Sequence, residues 1–119
     1  MMNNTTTTMP QLDEMYDALS ASRRRYTLQG LAASENDLLD VSTLGKQITA
    51  IEQDIKLAQA TGEPYRSVYM ALNQSHLPTL DELEIVEYDP DRKTVAPGPM
   101  FEEALLLLEL TQVTYKHLG

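Results

Sequence analysis

The sequence predicts a mainly α-helical domain with one small β-hairpin. Apolar residues recur at helical spacing in several segments, whereas strand-like alternation is concentrated between residues 84 and 96. The chain has 119 residues and no cysteine. That length suits a single domain that buries its own core without disulfides.

The charge balance of the chain is strongly acidic. Eighteen Asp and Glu residues face nine Lys and Arg residues, for a net charge of −9. Taken alone, this argues against a nucleic-acid partner, because neutralising phosphates requires Lys and Arg. The acids are spread along the chain, which fits a halophilic protein: at about 1 M salt the Debye length is roughly 3 Å, so distant repulsion is screened. The alternative is an ordinary acidic protein that never meets DNA.

The N-terminal segment, residues 1–11, is predicted to be a disordered tail. It lacks the basic and apolar runs of a signal peptide. No stretch of the sequence approaches the roughly 18 apolar residues that a membrane span needs. We therefore expect a cytoplasmic protein with no membrane partner.

Residues 12–60 predict the first helices. Residues 12–33 carry apolar side chains at helical spacing, and Ser20 or Ser22 is a candidate cap for a second segment that begins at the arginines. The next helix is expected to start at an N-cap on Ser42 and to end near residue 60. Its single apolar stripe consists of Leu44, Ile48, Ile51 and Ile55.

A third helix is expected to begin at Pro64, a residue suited to a first helical turn. Its narrow buried face consists of Val68, Ala71, Leu72 and Ser75. Pro78 lacks a backbone donor and clashes with the preceding turn, so the helix should kink or stop there. The resulting change of phase buries Leu77, Leu80 and Leu83.

The strand-like segment predicts a hairpin and the end of the chain predicts a long helix. Residues 84–88 alternate, "DPDR" is a turn, and residues 93–96 form the return strand. After "PGP", residues 100–118 are helical with apolar side chains on several sides, which would be an aggregation liability if left bare.

We therefore expect residues 97–119 to form a dimerisation helix in a symmetric homodimer. The predicted dimer contacts are Phe101, Leu105, Leu108 and Tyr115, with Leu106, Leu110 and Val113 on the other side. In the competing monomer, this helix folds back into a groove between the first helix and the hairpin.

The order helix, helix, helix, strand, strand, helix is that of a winged helix-turn-helix domain, here residues 12–96, with an added helix. His76-Leu77, Leu80 and Ile85-Val86 resemble the end of the third helix in ArsR-like and MarR-like regulators. The chain is more similar to a winged-helix family abundant in haloarchaea and their viruses and plasmids, through residues 19–31, 65–82 and 86–89. Glu84 departs from the broader regulators, which usually have glycine there.

The resemblance implies a DNA-binding transcriptional regulator whose third helix enters the major groove of double-stranded DNA. Asn and Gln side chains read adenine, and Arg reads guanine or a phosphate. The candidate DNA-binding residues are Arg66, Tyr69, Asn73 and Gln74 on the third helix, Arg92 and Lys93 on the hairpin, and Arg23 and Arg24 in the basic run. The basic run has an alternative role in salt bridges with internal acids, and Asp89 and Asp91 flank the hairpin cations.

No enzymatic site is recognisable in the sequence. His76 and His117 lack a second ligand at metal spacing, and no nucleophile–base set or phosphate-binding loop is present. We therefore expect that the protein is not an enzyme and that it binds no metal, cofactor or small-molecule ligand. The alternative function is a protein-interaction module that keeps the winged-helix scaffold without DNA binding. Cations converging on the third helix would favour DNA, and acids dominating that face would favour the module.

Overall fold

The computed structural model describes the backbone of residues 9–118 and the side chains of residues 11–112. The described chain is mainly helical with a small three-stranded antiparallel sheet. The helices are α1 (Met9–Ala18), α2 (Ser22–Ala33), α3 (Val41–Gln53), α4 (Gly62–Ala71), α5 (Leu77–Glu82) and α6 (Phe101–Leu118). The strands are β1 (Leu39–Asp40), β2 (Val86–Asp89) and β3 (Thr94–Pro97), and a short 3-10 turn spans Leu57–Gln59. Because α1 begins at Met9, residues 9–11 of the predicted tail are helical, and the remainder of that tail lies outside the described residues.

One hydrophobic core joins all the helices to the sheet. Its fully buried side chains include Leu28, Leu31, Leu44, Ile48, Val68, Leu72, Leu77, Leu80, Ile85 and Val95. Burying a side chain of this size contributes about 1.5–3 kcal/mol relative to leaving it in water. The core therefore draws on every predicted apolar stripe of the chain.

The sheet contains a strand that the sequence analysis did not predict. Its order is β1-β3-β2, with β3 antiparallel to both neighbours. Leu39 pairs with Val95, and the Val41 N–H donates to the Lys93 carbonyl at 2.9 Å. A lone hairpin is marginal in water, so this short edge strand and the helices beneath it stabilise the β2–β3 hairpin.

The ends of α3 differ from the prediction. Asp40 rather than Ser42 precedes the helix, and Asp54, in the left-handed region at φ 54°, follows its last residue. The predicted apolar stripe of this helix is only half buried, because Ile51 remains 54% exposed. Helix α4 begins at Gly62, at φ 71°, two residues before the predicted start at Pro64.

The third helix does not stop at Pro78. A π-helical turn, Leu72–His76, joins α4 to α5, and the backbone stays helical at both of its ends. The wider turn shifts the helical phase, because it holds more residues than an α-turn. Leu77 and Leu80 are fully buried as predicted, whereas Ser75, expected in the core, is exposed.

The backbone at the end of α5 shows why the broader regulators usually have glycine at the position of Glu84. The Ile85 N–H donates to the Leu80 carbonyl at 3.0 Å and the Glu84 N–H to the Asp81 carbonyl at 2.9 Å. This is a Schellman motif, in which the residue after the helix is usually glycine because it is left-handed. Glu84 takes that position at φ 63°.

The face of α6 that was predicted to meet a second copy lies largely inside its own chain. Phe101, Ala104 and Leu108 are 4%, 0% and 3% exposed, and the helix packs against α2. The assignment of Phe101 and Leu108 to a dimer contact is therefore corrected, because the core of the same chain buries both. Leu105 is half-buried, and the side chain of Tyr115 lies outside the described residues.

Candidate functional site

An open groove of about 870 Å³ separates α4 and α5 from the β2–β3 hairpin. Its apolar lining consists of Tyr69, Met70, Pro78, Tyr88 and Pro90. The polar lining consists of Asn73, Gln74, Asp81, Glu82 and Lys93. Four of the predicted DNA-binding residues, Tyr69, Asn73, Gln74 and Lys93, therefore meet in one place.

The hairpin is fastened to the helix by side-chain hydrogen bonds across this groove. The Tyr88 hydroxyl donates to Asn73 Oδ1 at 2.6 Å, and the Tyr88 N–H donates to Asp81 Oδ2 at 2.8 Å. Burial, followed by the neighbouring Tyr69, raises the pKa of the Tyr88 phenol, so it stays a neutral donor at physiological pH. These bonds fix the angle between helix and hairpin.

Asn73 is consequently occupied within the protein. Besides accepting from Tyr88, its amide Nδ2 donates to the Tyr69 carbonyl at 3.0 Å. A two-pronged contact with adenine needs both the oxygen and the nitrogen of the amide. Asn73 therefore positions the hairpin in this structure, and one N–H and one oxygen lone pair of its amide are used inside the chain.

Gln74 and Arg66 are the accessible polar side chains of the predicted set on this helix. Gln74 is exposed and lines the groove. The Arg66 side chain is 60% exposed and lies 3.5 Å from Glu63 Oε2, one helical turn away. Such an exposed pair contributes little stability, so Arg66 can exchange Glu63 for another anion at small cost.

The hairpin tip is built around Asp89. Its Oδ1 accepts from the N–H groups of Asp91 and Arg92, both at 3.0 Å, and its carbonyl accepts from the Lys93 N–H at 2.8 Å. Lys93 closes the turn at φ 57° and lines the groove. Arg92 is held only weakly, at 4.0 Å from Asp89 Oδ2 with 83% of its side chain exposed.

The basic run at the start of α2 serves the protein's own structure. Arg23 binds Glu52 through two hydrogen bonds of 2.7 and 2.9 Å, and this contact raises the pKa of its guanidinium. The salt bridge that the sequence left as an alternative is thus present for Arg23. Arg23 is not among the residues that line the groove.

Arg24 and Arg25 satisfy the end of α1. Arg24 donates to the Ala18 carbonyl at 3.3 Å, and Arg25 donates to the Leu19 carbonyl at 2.7 Å. The last carbonyls of a helix lack partners and carry partial negative charge, so cations stabilise them. Both Arg23 and Arg24 are half-buried and hydrogen-bonded inside the chain, which favours the internal role that the sequence offered as the alternative to a contact with DNA.

His76 completes the arginine network from the π-helical turn. Arg24 Nε donates to His76 Nδ1 at 3.1 Å, which requires a lone pair on that nitrogen. Burial, followed by the charges of Arg24 and Arg23, lowers the pKa of His76. The sequence could not indicate this contact, because 52 residues separate the two partners.

Two further properties bear on function. Among the residues that the structure describes, no group of His, Cys, Asp and Glu side chains is placed to hold a metal ion. No helix in the same part of the chain has the length and apolar character to cross a membrane.

One comparison with known proteins gives a match. A family model matches residues 16–96, from within α1 to within β3, and the family is described as a domain of unknown function (DUF7344). The matched segment is more than half of the chain and leaves α6 outside. No curated protein and no solved structure matches the chain.

Proposed function

Because this chain belongs to the DUF7344 family of domains of unknown function, we propose its function from its own geometry. It is a DNA-binding transcriptional regulator of the winged helix-turn-helix type, with α4 as recognition helix and the β2–β3 hairpin as wing. One observation carries the proposal: Arg66 on α4 and Gln74 on the π-helical turn that follows it are exposed beside a hairpin whose tip exposes Arg92 and Lys93.

The arrangement of elements supports this function. Helix α3 packs against α4 as the first helix of such a pair does against its recognition helix, and β1 joins the hairpin in a three-stranded sheet. The bonds from Tyr88 to Asn73 and Asp81 hold the hairpin beside the recognition helix. A rigid helix–wing unit can place side chains on bases and backbone at the same time.

Each proposed contact follows from the accessible chemistry. Gln74 is the candidate reader of adenine, and Arg66 is the candidate for guanine or a phosphate. Arg92 and Lys93 are the candidates for the backbone beside the groove. With a net charge of −9 on the chain, these contacts form best where salt screens long-range repulsion, in keeping with a halophilic cell.

The regulator is proposed to act as a homodimer through α6. With Phe101 and Leu108 inside the chain, the surface left for a second copy includes Leu106 and Leu110, each 56% exposed. Leu12 of α1 lines the same pocket as these two leucines and extends this apolar strip. A dimer of such domains reads two half-sites about 34–36 Å apart.

A second candidate function, docking of a protein segment, is favoured by the composition of the groove. Tyr69, Met70 and Tyr88 provide apolar surface. Among the described residues that line the groove, the carboxylates of Asp81 and Glu82 outnumber the one cation, Lys93. Phosphates are repelled by such a lining at short range, and a basic peptide with apolar side chains is attracted to it. Docking of a protein segment would use the same winged-helix scaffold and requires no DNA binding.

Binding to fluorescent duplexes from the region upstream of the protein's own coding sequence separates the two functions. We expect sequence-dependent binding in molar potassium chloride, and a loss of about 1–3 kcal/mol of sequence discrimination in Gln74→Ala and in Arg66→Ala. Lys56→Ala removes one exposed cation outside the groove and is the matched control. A parent protein that binds every duplex equally or none, with variants indistinguishable from it, rejects the regulator and leaves the docking module.

A further inference from the structure

Met70 is a large apolar side chain on the exposed face of α4, and it is 48% exposed. Among the residues that the structure describes, it is the one large apolar side chain that α4 and the π-helical turn leave exposed. Val68 and Leu72, by contrast, are buried in the core. About half of the Met70 surface is therefore available to a partner.

Met70 lies between the two polar side chains that are proposed to read bases. Arg66 precedes it by four residues and Gln74 follows it by four, so the three side chains share one face of the helix. Met70 and Gln74 also line the same groove beside the hairpin. A DNA duplex that contacts both Arg66 and Gln74 therefore passes over Met70.

The backbone beneath Met70 is held in place by its neighbours. Tyr69 is half-buried, and its ring centroid lies 5.7 Å from that of Tyr65. Asn73 donates to the Tyr69 carbonyl and accepts from the Tyr88 hydroxyl. The Met70 side chain thus projects from a fixed backbone, and its unbranched thioether adapts to the surface that it meets.

The chemistry of a thioether leaves one good target in the major groove. Methionine has no side-chain hydrogen-bond donor and its sulfur is a weak acceptor, so it does not satisfy the polar edges of guanine, adenine or cytosine. Thymine is the base that presents an apolar group there, its C5-methyl group. Cytosine in the same place would bury an amino group without a partner, which is unfavourable.

We propose that Met70 is a specificity-determining residue that contacts the C5-methyl group of a thymine in the target duplex. This inference rests on the proposed DNA-binding function and adds a base contact to it. Four helical residues advance about 6 Å, and successive base pairs are about 3.4 Å apart. The thymine therefore lies roughly one or two base pairs from the adenine that Gln74 reads, on the side toward Arg66.

Removal of a single methyl group from DNA tests the proposal. The probe is the tightest duplex that the full chain selects from a random-sequence library in molar potassium chloride. Each thymine in it is replaced in turn by deoxyuridine, which pairs with adenine in the same way and lacks only the C5-methyl group. Fluorescence anisotropy gives the Kd of each duplex for the parent and for the variants.

The variants are Met70→Ala, which removes the contact, and Met70→Leu, which keeps an apolar side chain. Leu38→Ala is the matched control, because Leu38 is 53% exposed and does not line the groove. Circular dichroism checks that each variant folds.

We expect one thymine whose replacement by deoxyuridine weakens binding by the parent about fourfold, as the loss of one buried methyl group predicts. The Leu38→Ala control should respond in the same way as the parent. Met70→Ala should bind the thymine duplex more weakly and should be insensitive to deoxyuridine at that position. Met70→Leu should retain the sensitivity. The pairing of a protein change with a DNA change isolates the contact between the two groups.

A parent that binds its selected sequence but tolerates deoxyuridine at every position overturns the proposal and leaves the regulator standing. Sensitivity to the methyl group that persists in Met70→Ala overturns it as well, because another residue then makes the contact. A parent that selects no sequence rejects the regulator itself, and the base contact of Met70 with it. The two failures are thus distinguished by whether the parent selects a sequence.

Discussion

At the scale of single residues, backbone geometry at two positions fixes the link between α5 and the hairpin. Glu84 is left-handed, and Gly98 lies so close to it that an added Cβ would sit 2.5 Å from the Glu84 carbonyl oxygen. The Met100 N–H also donates to that oxygen, at 2.8 Å. One strained residue and one glycine therefore hold the start of α6 against the end of α5.

Opposite substitutions at these positions should have opposite effects. Glu84→Gly relieves a left-handed residue, worth about 1–2 kcal/mol, against about 0.5–1 kcal/mol of added backbone entropy in the unfolded chain. We expect a net gain of about 0.5–1 kcal/mol in the free energy of unfolding. Gly98→Ala should lose about 1–3 kcal/mol through overpacking against backbone. Urea unfolding measures both, and a destabilising Glu84→Gly would contradict the strain argument.

His76 makes the stability of the chain depend on pH. Its pKa is lowered in the folded state below the ordinary value of 6.5, because burial and the charges of Arg24 and Arg23 outweigh the opposing effect of Glu52. The unfolded state therefore binds the proton first as pH falls. The stabilisation is complete above pH 6.5 and is lost as pH falls from there through the lowered pKa.

His76→Gln should flatten that pH dependence, because glutamine keeps an acceptor for Arg24 without a titrating proton. The measurement is the difference in urea unfolding free energy between parent and variant from pH 7.5 to pH 5.5, a range in which model carboxylates stay largely ionised. We expect the parent to lose stability relative to the variant on acidification. Parallel curves would show that His76 does not govern this range.

At the scale of elements, the π-helical turn before Pro78 decides which residues the third helix buries. It places Leu77 and Leu80 in the core and leaves Ser75 exposed. Burial of two leucines contributes about 3–6 kcal/mol, whereas a backbone hydrogen bond regained by an uninterrupted α-helix contributes about 0.5–1.5 kcal/mol. Packing of these two leucines therefore maintains the π-helical turn. Pro78 fits the interrupted hydrogen-bond pattern, because proline has no backbone N–H to donate.

Pro78→Ala should accordingly keep the phase of the helix. We expect a loss of about 0.4–1 kcal/mol, mainly because the unfolded chain gains freedom. The phase itself is measured by adding Leu77→Ala, which should cost about 2–5 kcal/mol in both backgrounds. If Leu77→Ala becomes nearly neutral once Pro78 is replaced, the proline and not the packing sets the phase.

At the scale of the whole molecule, acidity shapes both stability and association. The net charge of −9 on a 119-residue chain disfavours the compact state through self-repulsion. In the described residues, Arg23–Glu52 is the close, partly shielded ion pair, while Arg66–Glu63 and Arg92–Asp89 are longer and exposed. Screening by salt therefore removes more repulsion than attraction.

We expect the free energy of unfolding to rise as potassium chloride increases from about 0.1 M to about 1 M, where the Debye length shortens from about 10 Å to 3 Å. Urea titrations at each salt concentration measure it. The control is Glu52→Gln, which removes the Arg23 salt bridge and one negative charge. Its curve should lie below that of the parent at every salt concentration, since the short bridge is weakly screened. A parent destabilised by salt would contradict the repulsion argument.

The sequence by itself determined the helical class, the β2–β3 hairpin and most of the core. Apolar spacing is a local signal that burial enforces, so Leu44, Val68 and Leu77 lie where the pattern predicted. The tertiary structure alone decided the roles of the polar residues. Asn73 binds Tyr88, Arg24 binds His76 and Arg23 binds Glu52 across separations of 15, 52 and 29 residues. A polar side chain has the same local signature whether it faces solvent, a base or an internal partner, and only the folded chain brings its partner within hydrogen-bonding distance.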